Sequence, residues 1–143
     1  MLNVSKTEAL SAFIADRFAS NSSMSCQHVE RIGDNCVLNG NNFLDLKSKI
    51  TLEKGVSLGP GVIIMTHNRY NHNAFLEEKL SHTCGIKDVL IKEGSGIKAG
   101  ALIVHGITIG KNSVVGGNSV VNRDVPDNCF VAGVPARLIK EII

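Results

Sequence analysis

Ile91, Ile97, Ile103, Ile109, Val115 and Val121 stand six positions apart, and Ser95, Ala101, Ile107, Ser113, Ser119 and Val125 follow them by four. An α-helix places apolar residues near every 3.6 positions and a half-buried strand at every second, so a period of six fits neither alone. It fits short strands separated by turns and stacked into a coil, with the same side chain recurring in each layer of the core. The first half carries the same clock less cleanly. Leu38, Leu44, Ile50, Val56 and Val62 form one series; Leu46, Leu52, Leu58 and Ile64 form another, and the two are again offset by four.

Ile64 and Ile91 are 27 positions apart, which no multiple of six can span. The intervening segment 68–88 is polar and aperiodic and reads as a loop ejected from the coil; a loop of that length in a compact domain tends to be functional or disordered. The pattern therefore predicts one domain over 1–143, with coils over 32–67 and 89–125. Ser5-Lys-Thr-Glu8 is a capping-box pattern followed by apolar residues at helical spacing, so 1–25 reads as a helical cap on the end of the coil. The tail 126–143 is loop-like up to Ala136, where a short helix or strand begins behind Pro135.

Composition supports the repeat independently. The 143 residues are 43% hydrophobic but only 4% aromatic, with no Trp, as suits a thin coil filled by Ile, Val and Leu. Fourteen glycines suit repeated tight corners. A formal charge of +2 without any basic tract gives no sign of nucleic-acid binding. No apolar run approaches the roughly 18 residues of a membrane span. Cys26, Cys36, Cys84 and Cys129 form no Cys-x-x-Cys pair, and the first residues lack the order of a signal peptide, so reduced thiols and a cytoplasmic location are expected.

The block Ile107–Pro126, with Val131-Ala-Gly-Val-Pro-Ala-Arg-Leu-Ile-Lys140 after it, resembles the terminal block of the hexapeptide-repeat acyltransferases. Met65-Thr66-His67-Asn68-Arg69-Tyr70, followed by a long loop, is similar to the sugar, antibiotic and polysaccharide O-acetyltransferases within that family. The resemblance implies an all-β, left-handed parallel β-helix assembled as a homotrimer, to which the residue pattern adds a short helix at each end. Acetyl-CoA would lie in a cleft between neighbouring coils and a saccharide acceptor near the loop. Two positions depart from the family: Gly96 stands where an aromatic Trp is usual, and His105 where Pro often precedes Gly106.

Acetyl transfer to a hydroxyl needs a base, and a neutral imidazole is suited to it. His67 closes the regular repeat where the loop departs, and the resemblance makes it the catalytic residue. The resemblance also places Ala99 and Gly117 along the pantetheine arm, and Asn122, Arg123, Arg137 and Lys140 near the nucleotide end. Asn42, Asp45, Tyr70 and His72 are weaker candidates for the acceptor, although Asn42 and Asp45 fit equally well as corner residues. His67 and His72 could share a metal in the manner of β-helix carbonic anhydrases, but Asn73-Ala-Phe75 continues a loop where a hexad follows in those enzymes, so no metal is expected. Two other readings stay open: an N-acetyltransferase acting on an amino-sugar nucleotide, and a metal-binding or non-catalytic β-helix protein.

Overall fold

The computed structural model describes residues 2–4, 31–70 and 73–143. The predicted helix over 5–19 and His72 lie outside the described residues. Each coil runs over three faces. The first face is β2 (Arg31–Ile32), β5 (Ile50–Leu52), β10 (Val89–Ile91) and β13 (Thr108–Ile109). The second contains β3 (Cys36–Leu38), β6 (Ser57–Leu58), β11 (Gly96–Ile97), β14 (Val114–Val115) and β16 (Cys129–Gly133). The third is β4 (Phe43–Leu44), β7 (Ile63–Ile64), β12 (Leu102–Ile103) and β15 (Val120–Val121). Coil strands on each face pair in parallel, coil upon coil.

The hexad clock has a simple origin. Each face takes two inward side chains, one on either side of an outward one, and then a turn. The inward residues that end each strand (Leu52, Ile91 and Ile109 on the first face, for example) stack in register from coil to coil and are fully buried. The residues two before such positions, among them Cys36, Val56, Ser95, Ala101 and Ser113, are buried too. Small polar members of that inner column bond to backbone: the Ser95 hydroxyl donates to the Gly110 carbonyl at 2.6 Å and accepts from the Ser113 N–H at 3.2 Å.

The register also shows where the clock slips. Ile32 pairs with Leu52, Leu52 with Ile91, Ile91 with Ile109, and Ile109 bridges Val125. One turn of the coil is 18 residues only between the third and fourth coils, from Ile91 to Ile109. Leu44 to Leu52 contains two residues more than a hexad, Ile64 to Ile91 contains the loop, and Val121 to Val125 contains two fewer. The series Leu38–Leu44–Ile50 thus changes role midway, and Val125 takes the strand position equivalent to Ile109 instead of the position equivalent to Ser113 that the offset of four predicts. Every slip falls at the corner where the third face returns to the first. Gly110 sits at the following corner, between the first and second faces, where a Cβ would lie 2.4 Å from the backbone of Pro126 and Asp127.

The ends differ from expectation. β1 (Leu2–Val4) lies antiparallel to β3. The tail is a strand, not a helix: β17 (Ala136–Glu141) folds back antiparallel on β16, with an irregularity at Phe130/Val131. Its backbone groups gain a ladder from β16 that a helix would forgo. The ejected segment is more ordered than a loop. Its stem is an antiparallel pair, β8 (His67–Asn68) with β9 (Gly85–Ile86), and it carries helix α1 (Ala74–Lys79) capped by the Asn73 side chain, which accepts from the Leu76 N–H. No helix among the described residues is long and apolar enough to cross a membrane.

Candidate active site

The slipping corner gathers the polar residues that the core cannot hold. The two extra residues of the first coil put Leu44, Asp45 and Leu46 in succession inside the protein, with Asp45 only 3% exposed. A buried carboxylate is costly unless hydrogen-bonded, and this one is. One oxygen, Oδ2, accepts from the Thr66 N–H at 2.9 Å and contacts His67 Nδ1 at 2.5 Å. Thr66 is itself fully buried; its hydroxyl lies 2.6 Å from the Asp45 carbonyl and accepts from the Ser48 N–H at 2.9 Å. Burial pushes the Asp45 carboxyl up, but the Thr66 N–H and the bond and charge of His67 together outweigh it and hold the group below the ordinary carboxylate range.

A carboxylate can only accept, so the contact fixes a proton on His67 Nδ1 and leaves Nε2 with a lone pair. The imidazole is 32% exposed while the carboxyl beneath it is nearly covered. It opens on a cleft of about 520 Å³ lined by Met65, His67, Asn68, Thr83, Val104, His105 and Asn122. These come from the same corner of three successive coils and from the end of the loop. The loop's return is anchored to the first coil, where the Asp88 carboxylate accepts from the Ser48 hydroxyl and from the Lys49 N–H at 3.0 Å.

The sequence-derived residues separate clearly. His67 and Asn122 share the cleft. Asp45 lies under the imidazole as its hydrogen-bond partner, buried away from any acceptor. Asn42 bonds the Gly59 carbonyl at 2.8 Å, a corner role. Tyr70 is held within the loop: its N–H donates to Glu77, and its hydroxyl is 3.4 Å from Thr83 Oγ1. Ala99 and Gly117 stack on adjacent coils, so close that a Cβ on Gly117 would meet the Ala99 carbonyl at 3.3 Å. Arg123 and Arg137 line one depression with Asp124 at the far end of the coil, whereas Lys140 lines another with Val114 and Phe130. The terminal basic residues thus line two separate depressions.

His105, which the sequence showed only as a departure from the family and not as a site residue, also lines the cleft. It follows Ile103 by two, as Thr66 follows Ile64, and the pairing of Ile103 with Ile64 brings it beside the His67 corner. The hexad frame carried that signal, since His105 replaces a turn residue at the corner that also bears His67. Among the described residues no group of three or more His, Cys, Asp or Glu could hold a metal ion.

No protein-family model matches the chain. It is 33% identical over 111 residues to a protein of Saccharomyces cerevisiae named "putative acetyltransferase", covering 78% of this chain and 55% of that protein. It is 28% identical over 113 residues to the galactoside O-acetyltransferase of Escherichia coli, covering 77% and 56%. The chain thus spans about half the length of the curated relatives it matches. Among solved structures, a hexapeptide-repeat acetyltransferase from Vibrio cholerae superposes with a TM-score of 0.72 at 25% identity, over 99% of this chain and 96% of that one. The same Vibrio protein has been solved in complex with acetyl coenzyme A. In sequence and in fold alike, the chain resembles the hexapeptide-repeat acetyltransferases.

Proposed function

We propose that this chain transfers an acetyl group from acetyl-CoA to a hydroxyl of a saccharide, with His67 as the general base. The observation that carries the reading is the imidazole held on a buried carboxylate at the mouth of the cleft, with its second nitrogen free. The acceptor hydroxyl gives its proton to His67 Nε2 while its oxygen bonds to the thioester carbonyl carbon. The carbon–sulfur bond then breaks, and the departing thiolate takes the proton from the imidazolium. The products are an O-acetyl ester and free coenzyme A. The thioester is already activated, so no covalent enzyme intermediate is needed. Asp45 holds the ring in one tautomer and stabilises its transient positive charge.

The donor substrate is supported by the acetyl coenzyme A bound to the Vibrio neighbour, and a sugar acceptor by the galactoside named in the Escherichia coli relative. The low stack of Ala99 and Gly117 suits close approach of a pantetheine arm, and the Arg123–Arg137 pair suits a phosphate. A trimer of left-handed coils, working in the cytoplasm on a surface polysaccharide or its precursor, completes the reading. Association of chains is supported by the outward column of the third face, where Phe43, Ile63, Leu102 and Val120 stack in register as an unbroken apolar stripe. Phe43 and Ile63 are 41% and 37% exposed.

Thiol release from acetyl-CoA against a panel of methyl hexopyranosides tests the activity directly. His67→Ala should lower turnover on the order of 10²–10⁴-fold, the range of a general base, with little change in the KM for acetyl-CoA. Wild-type turnover in that variant would overturn the reading.

A further inference from the structure

His105 stands on the third coil at the corner that bears His67 on the second, and both line one cleft. Parallel coils are one strand spacing apart, about 4.8 Å, so groups on adjacent turns of this corner reach neighbouring atoms of one small ligand. Three features surround His105. The Lys87 stem lies over Gly106, where a Cβ would meet Lys87 Cδ at 2.9 Å. Val104 packs against the core on one side of it, and Asn122 continues the cleft on the fourth coil.

We propose that His105 binds the acceptor, hydrogen-bonding the hydroxyl adjacent to the one that His67 deprotonates, and so makes the chain selective for acceptors with two neighbouring hydroxyls. The proposal rests on the acetyltransferase reading and names the substrate class within it. Burial first, then the positive charge of Lys87 and that of His67 when it is protonated, hold the His105 imidazole below its ordinary value. At neutral pH it is thus uncharged, with one nitrogen that donates and one that accepts. A hydroxyl has the same pair of capacities, so the two are complementary in either tautomer. A cation at this position would offer donors only and would oppose the charge that His67 acquires during proton transfer.

A site built to hydrogen-bond a hydroxyl discriminates against the analogue that lacks it, because its own polar group is then left unpaired. The test uses methyl hexopyranosides beside the analogues of each that lack one hydroxyl, and measures kcat/KM by thiol release. The wild-type chain should prefer at least one parent sugar over its deoxy analogue by about 10- to 100-fold. His105→Leu should bring the two within about threefold, with the acceptor KM rising far more than that for acetyl-CoA. His105→Gln, which keeps a donor and an acceptor, should restore most of the preference, a rescue that a merely structural role would not produce. An undiminished preference in His105→Leu, or an equal loss in the Gln variant, overturns the role of His105 alone. Failure of the wild-type chain to release thiol with any sugar overturns both this inference and the acetyl-transfer reading.

Discussion

Asp45→Asn would set an amide, with its own N–H groups, against the Nδ1–H of His67, and would favour the tautomer whose proton sits on Nε2. The base would then be blocked by its own hydrogen, so turnover should fall on the order of 10²-fold or more while acetyl-CoA binding holds, as steady-state kinetics would reveal. The same substitution has a stability signature. An unfolded Asp titrates near 3.8, and the folded carboxyl lies lower. Its ionised form therefore stabilises the fold above 3.8, and that contribution disappears as the pH falls through the depressed value. Denaturant titrations between about pH 5 and about pH 2 should show a shallower acid loss in the Asn variant than in wild type. Asp45 could not be paired with His67 from sequence, because 22 positions separate them and only the two-residue slip brings them onto one corner. His67 was legible because the ordered repeat stops beside it. His105 was visible as a departure, but its cleft was not, since that depends on which coil lies against which.

Helix α1 buries none of its residues, and Phe75 within it is 66% exposed. Among the described residues the excursion is held by its β8–β9 stem, the Asp88 anchor and the Tyr70 contacts, and its helix buries no side chain on the coil. Removing residues 71–84 and closing the stem with a short turn should leave cooperative thermal unfolding in place. It should raise the acceptor KM more than that for acetyl-CoA, because Thr83 lines the cleft beside His67. Equal rises in both constants would mean that the excursion does not face the acceptor. At this scale the strands of the coil were legible from the hexad clock, as inward pairs such as Ile97 with Ser95 recur without reference to anything distant. The tail was not. Leu138, Ile139, Ile142 and Ile143 are spaced as one face of a helix, and only the ladder offered by β16 selects the strand.

For the whole molecule, the trimer proposed above should give a mass near three chains by light scattering, and Phe43→Lys with Ile63→Lys should dissociate it by setting charges on the apolar stripe. The two strands that run against the grain, β1 and β17, matter in a different way. A repeating coil has no internal reason to stop: its last turn offers the same parallel hydrogen-bonding edge that every earlier turn used to recruit the next. Left bare, such edges would let one molecule continue another end to end and grow a fibre. On the second face, each terminal turn is covered by a strand of opposite direction, which satisfies the edge but presents the next chain with a mismatched pattern. Deleting residues 134–143 should therefore release a growth front, seen in sedimentation as species that lengthen with concentration beyond three chains. On that face the antiparallel strands close the edge that the repeat would otherwise leave open to a further coil.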